Sequence, residues 1–134
     1  PGKHPESRRP LEGLQDFLRR PESGLVFIKH EFKRNSIELL GILTCTDLPS
    51  NASDRRKPGP GMFFEAQLKF NLSLTNCLMI GDSLCDIEAG ANLGLDTLLV
   101  MTGNGKETRK LIKQSHQPSY IADNLLDGAL QLCH

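Results

Sequence analysis

Beyond residue 60 the apolar positions change period in a regular order. The segment 61–70 reads as a helix, 77–80 as a short apolar strand, 84–93 as a helix and 97–100 as a strand. A charged helix is expected over 106–114 and a short strand at 120–121, followed by a final helix over 124–132 with Asp123 as its N-cap. Strands alternating with helices of about ten residues predict βαβ units around a parallel sheet. Upstream the pattern is less regular. Leu11, Leu14, Phe17 and Leu18 recur at helical spacing, after a polar, proline-rich lead-in over 1–10. Two strand candidates follow, 25–28 and 37–44, separated by a charged turn at Lys33-Arg34-Asn35. Residues 45–61 carry Pro49, Ser50, Asn51, Pro58, Gly59, Pro60 and Gly61 and read as a loop.

Composition narrows the function classes. The 134 residues carry 16 basic and 16 acidic side chains, which argues against a dedicated nucleic-acid binder. No apolar run approaches the roughly 20 residues of a membrane helix, and no secretory leader pattern is present. Cys45, Cys77, Cys85 and Cys133 show no CxxC and no framework spacing, so reduced thiols and a cytoplasmic protein are expected. His4, His30, His116 and His134 are scattered and receive no role. Oligomeric state has no signal in the sequence.

In a parallel sheet, functional groups gather beyond the carboxyl ends of the strands. Gly81-Asp82-Ser83-Leu84-Cys85-Asp86 follows such a strand, with Asp82 at its end and Asp86 one turn into the next helix. Two carboxylates converging there can hold a hard divalent cation and leave positions open for water and phosphate. Spacing alone fits equally well a capping aspartate followed by an exposed one. Arg55-Arg56-Lys57-Pro58-Gly59-Pro60-Gly61 sets three cations on a stiff turn before a helix. A lysine on such a turn can neutralise charge on a phosphoryl group, and an arginine can fork onto a phosphate or carboxylate; alternatively the run is a solvated surface.

Three stretches in order, Arg56-Lys57-Pro58-x-Pro60-Gly61-Met62, Met79-Ile80-Gly81-Asp82-Ser83-x-x-Asp86-Ile87-Glu88-Ala89-Gly90 and Leu99-Val100-x-Thr102-Gly103-x-Gly105-Lys106, resemble the haloacid-dehalogenase superfamily. Within it, the likeness is to the histidinol-phosphatase and heptose 1,7-bisphosphate phosphatase branch. The resemblance implies a Rossmann-like three-layer α/β sandwich over 1–134, without its first strand–helix units. It also implies a magnesium-dependent phosphomonoesterase acting on a sugar phosphate or similar small ester. By resemblance, Lys57 would stabilise nucleophile and phosphate, Asp82 would ligate Mg2+, and Asp86 would support the metal site. Arg56 and Ser83 would contact the substrate.

The departures bear on activity. Many members of this branch carry a zinc loop, C-x-H-x-P…C-x-C, before R-K-P. In this chain Asp47, Ser53 and Arg55 stand where His, Cys and Cys would be, leaving Cys45 alone, so no structural zinc is expected. No D-x-D-x-T/V nucleophile motif follows any strand. Its nearest imitation places Lys29 and Glu31 where the two aspartates should be, on what reads as an ordinary strand, and lysine cannot form an acyl phosphate. The chain is therefore expected to hold the second half of such an enzyme and to be inactive or nearly so. The rival expectation is a catalytically dead binding or interaction module on the same fold. A receiver-type α/β domain fits less well, since it wants an acidic pair after its first strand.

Overall fold

Asp96-Thr97-Leu98-Leu99-Val100 forms the centre of a parallel sheet, and its last four residues are buried. The computed structural model describes residues 21–133. Contacts divide the chain into two units, 1–42 and 43–134.

In the second unit the elements are α2 (Gly61–Phe70), β1 (Leu78–Gly81), α3 (Leu84–Asn92), β2 (Asp96–Val100), α4 (Gly105–Leu111), β3 (Tyr120–Ala122) and α5 (Leu125–Leu132). The first unit contributes α1 (Pro21–Arg34). Strand order is β1-β2-β3, all parallel, with Met79 beside Thr97, Gly81 beside Leu99 and Val100 beside Ala122.

Side chains alternate across a strand, so Thr97 and Leu98 face opposite sides of the sheet. A Cβ on Gly90 of α3 would fall 2.6 Å from Thr97 Cγ2, and one on Gly128 of α5 would fall 2.6 Å from Leu98 Cδ2. The two helices therefore cover opposite faces, so the unit has the parallel sheet that its hydrophobic pattern predicts and the three-layer α/β sandwich that the family resemblance implies. Leu98, Val100 and Ala122 form the core on the α5 side, with Leu132 packed against them. Ile87 and Ala89 of α3 are fully buried.

Two expectations fail upstream. The apolar run 25–28 lies inside α1, and 37–44 contains no strand. Ser36 takes a left-handed φ of 58°, and the Ile37 N–H reaches back to the Phe32 carbonyl at 2.9 Å. That closure spends Ile37 on ending a helix. Strand-like composition without a ladder partner does not make a strand of the following segment. Arg34 pairs with Glu31 at 2.8 Å in the last turn of α1. The expected helix over 11–18 and the lead-in over 1–10 lie outside the described residues.

Two boundaries also move. α4 stops at Leu111 because Ile112 is extended, with ψ 129°, and a short turn at Gln114–His116 follows. The cap of α5 is Asn124, one residue later than expected. Its side chain accepts the Asp127 N–H at 2.7 Å, while Asp127 accepts the Asp123 N–H at 3.1 Å. Asn124→Ala should cost about 1 kcal/mol, with Asn124→Asp close to neutral, in urea denaturation followed by circular dichroism. Equal midpoints for the alanine variant and the parent would show that the cap contributes nothing.

Candidate active site

β1 ends at Gly81, and the next residue, Asp82, sits at the carboxyl end of the sheet. Gly81 has an ordinary φ; closeness is what requires glycine there, since a Cβ would lie 2.3 Å from Asp86 Oδ2. Ser83 is the N-cap of α3, and its N–H donates to Asp86 Oδ2 at 3.2 Å. A carboxylate in the first turn also sits favourably against the helix dipole. Asp86 is thereby fixed and 6% exposed.

Lys57 reaches this carboxylate from the turn before α2, with Nζ 2.5 Å from Asp86 Oδ1. The turn is stapled to α2 by the paired Arg55–Glu65 contact, Nε–Oε2 at 2.5 Å and Nη2–Oε1 at 3.2 Å. That contact holds the Glu65 carboxyl below its usual range, mainly through the hydrogen bond from Arg55. Lys57 also borders a cavity of about 200 Å³ whose other walls are apolar, from Leu43, Met62, Phe63, Ala66 and Met79.

Asp82 is held from three directions. Oδ2 accepts the Asn104 N–H at 2.8 Å, Oδ1 accepts the Ser83 hydroxyl at 3.3 Å, and the Asp82 carbonyl accepts the Thr108 hydroxyl at 2.7 Å. The Asn104 N–H, more than any other contact, keeps the Asp82 carboxyl below the ordinary range; the Ser83 hydroxyl and the Lys57 charge add to it against the cost of burial. Gly103 supplies the left-handed φ of 57° that turns the Asn104 amide toward Asp82. Burial pushes the neighbouring Cys85 thiol up, which makes it a poor nucleophile.

Of the five residues singled out in the sequence, the structure brings Lys57, Asp82, Ser83 and Asp86 together. Arg56 lies on the same turn, and its Nη1 donates to the Asp47 carbonyl at 2.8 Å. Nothing in the sequence marks Asn104 and Thr108 as partners of Asp82. The first acts through its backbone, which no residue type announces; the second is a buried threonine inside the charged run Lys106-Glu107-Thr108-Arg109-Lys110, where burial was the missing clue. Lys29 and Glu31 fall in α1, a helix, so the sequence expectation of a strand there is corrected.

The chemistry of the donor set tests the two metals. The Lys57 ammonium already neutralises Asp86, whereas the Asp82 oxygens accept from a neutral amide and a neutral hydroxyl and each keeps a lone pair, so Asp82 is the carboxylate suited to a cation. Magnesium is commonly held by one or two carboxylates together with waters and phosphate oxygens, so Asp82 fits as one ligand. Among the described residues no three His, Cys, Asp or Glu side chains gather as a metal cluster. Cys45, Asp47, Ser53 and Arg55 do not match the four nitrogen or sulfur donors of a structural zinc site. No helix among the described residues is long and apolar enough to cross a membrane.

A family model described as HAD-hydrolase-like matches residues 54–128. The D-glycero-alpha-D-manno-heptose-1,7-bisphosphate 7-phosphatase of Campylobacter jejuni is 33% identical over 81 residues, 60% of this chain and 46% of that protein. The D-glycero-beta-D-manno-heptose-1,7-bisphosphate 7-phosphatase of Neisseria meningitidis serogroup A is 36% identical over 93 residues, 67% of this chain and 49% of that protein. The crystal structure of the D,D-heptose 1,7-bisphosphate phosphatase of B. bronchiseptica, complexed with magnesium and phosphate, superimposes with a TM-score of 0.74 at 26% identity. The match covers 84% of this chain and 62% of that one. The chain spans about half the length of the curated relatives it matches.

Proposed function

The chain belongs to the HAD-hydrolase-like family, and on that footing we propose that it carries the lysine and magnesium half of a phosphomonoester hydrolase site for a sugar phosphate of the heptose bisphosphate kind. The observation that carries the reading is the meeting of Lys57, Asp82, Ser83 and Asp86 at the carboxyl end of β1.

Each residue has a distinct part in this reading. Lys57 donates to a phosphoryl oxygen and offsets its charge, in a setting partly withdrawn from water where that interaction is stronger. Asp86 aims Lys57 through their ion pair and takes no part in contacting substrate. Ser83 and Arg56 orient the phosphate ester. Asp82 is the carboxylate ligand of Mg2+, which when bound supplies positive charge to a phosphoryl group. Asn104 and Thr108 keep Asp82 in place.

The 134 residues contain no D-x-D pair, so no aspartate nucleophile is available at the position that the family reaction requires. The chain should accordingly bind phosphate in the presence of Mg2+ and hydrolyse little or nothing. That same feature, with the altered residues at Asp47, Ser53 and Arg55, favours a second reading, a non-catalytic binding module.

Titrating inorganic phosphate into 15N-labelled chain with Mg2+ should shift the amides of Asp82, Ser83 and Asn104, and Asp82→Asn should weaken the response about tenfold. Absence of any shift at those amides overturns the phosphate site. Hydrolysis of p-nitrophenyl phosphate that disappears in Asp82→Asn would show the chain to be active and overturn the predicted inactivity.

A further inference from the structure

Asp47 is engaged twice. Its carboxylate Oδ2 accepts both the backbone N–H of Ser53 at 2.8 Å and the Ser53 hydroxyl at 2.5 Å. Its carbonyl accepts Arg56 Nη1 at 2.8 Å. Ser53 Oγ in turn accepts the Arg55 N–H at 3.2 Å. Ser53 lies six positions after Asp47, and between them only one short turn, Pro49–Asn51, is regular. The cross-link therefore closes the loop at its base, with only Asp54 between it and the start of the cationic turn at Arg55.

Downstream the turn continues by its own bonds. Gly61 N–H meets the Asp54 carbonyl at 2.9 Å, and Gly59 N–H meets the Arg56 carbonyl at 2.8 Å. Arg55 is tied to Glu65 on α2. Arg56 is exposed, yet its guanidinium has a fixed acceptor, and that acceptor belongs to Asp47. A long cation on an open surface otherwise samples many rotamers and loses that freedom when it must settle on a ligand.

We propose that Asp47 is a positioning residue: with Ser53 it clasps the loop shut by hydrogen bonds alone, without a metal, and so presets Arg56, and beside it Lys57, for an oxyanion. The donor set agrees, because a thiol, a carboxylate, a hydroxyl and a guanidinium together do not make a zinc site. The clasp stands on its own contacts; its consequence for ligand rests on the phosphate reading above.

The test uses the full chain with 15N-labelled arginine. In the parent the Arg56 guanidinium Nη signals should show hindered rotation, unchanged by EDTA. In Asp47→Ala they should collapse to free rotation, although the backbone carbonyl that Arg56 contacts is still present. Asp47→Asn keeps one side-chain acceptor and should restore part of the restriction. The same Asp47→Ala chain should bind inorganic phosphate about fivefold more weakly, the loss of roughly one net hydrogen bond. Should Asp47→Ala fail to fold by circular dichroism, Ser53→Ala removes the hydroxyl half of the clasp and carries the same comparison.

Arg56 signals in Asp47→Ala that match the parent overturn the proposal, as does release of Arg56 by EDTA alone. A parent chain that shows hindered Arg56 rotation and no phosphate binding upholds the clasp and overturns the phosphate reading, so the two failures are distinguishable.

Discussion

Gly105→Ala should destabilise the chain by more than about 3 kcal/mol and move the urea midpoint accordingly, the largest effect expected of any single methyl group in the sandwich. A Cβ at that position would lie 1.8 Å from the carbonyl oxygen of Val100 and 2.7 Å from its carbonyl carbon. Both are backbone atoms at the end of β2, so no side-chain rotation relieves the overlap. The strand end would have to move. Val100 is in register with Ala122, and the next residue, Met101, donates its N–H to the Ala122 carbonyl at 2.9 Å. Displacement there opens the core on the α5 side and carries the Asn104 amide away from Asp82.

Gly94→Ala separates contact from conformation. Gly94 has φ 79°, but the nearest atom to its absent Cβ is Thr75 Cγ2 at an ordinary 3.8 Å. Backbone strain alone should cost that variant about 1–2 kcal/mol. If the two variants unfold at the same denaturant concentration, the contact with Val100 is not what makes Gly105 necessary. The tight approach also explains why this loop contributes to the site at all. α4 begins so close to β2 that its first turn has nowhere to place its leading amide except against the aspartate beyond β1.

How far the sequence discloses this arrangement depends on whether a feature is local. The elements from α2 to α5 are readable because their apolar periods are set by burial on a sheet that those same residues build. Asp82, Asp86 and Lys57 are readable as candidates because the family likeness supplies their order; out of context a capping aspartate and a solvated charge run fit the same residues. Residues 25–44 are not readable in that way. Val26, Phe27 and Ile28 suit a strand, but a strand is a relation to a partner, and the helical closure at Ser36 and Ile37 leaves no compositional mark. Asp123 and Asn124 are adjacent capping residues, and only the bond to Asp127 decides between them. The Lys57–Asp86 pair joins positions 29 apart along the chain, so spacing could suggest each role and not the contact.

That contact leads to the second large effect. Lys57→Ala should weaken the affinity for inorganic phosphate at least tenfold and cost about 2 kcal/mol of stability. The stability loss follows from what remains: the Asp86 side chain, 8% exposed, keeps the Ser83 N–H and loses its cation. Breaking a buried pair from one side commonly costs about 3–5 kcal/mol, and the lower figure reflects a lysine side chain that is one-third open to solvent. Asp86→Ala should cost a similar amount, since it also removes the acceptor for the first turn of α3. In Lys57→Ala/Asp86→Ala no stranded charge is left, so the combined loss should fall short of the sum by about 1 kcal/mol or more. Phosphate binding should stay lost in the double variant, because the cation is gone. Lys57→Arg should keep much of the stability while binding phosphate in altered geometry, since a guanidinium fork does not replace a compact ammonium. Unimpaired phosphate affinity in Lys57→Ala would reduce Lys57 to a structural counter-ion of Asp86. Loss of affinity in both the single and double variants, with stability recovered relative to the sum only in the latter, assigns Lys57 two separable roles, one toward α3 and one toward the ligand.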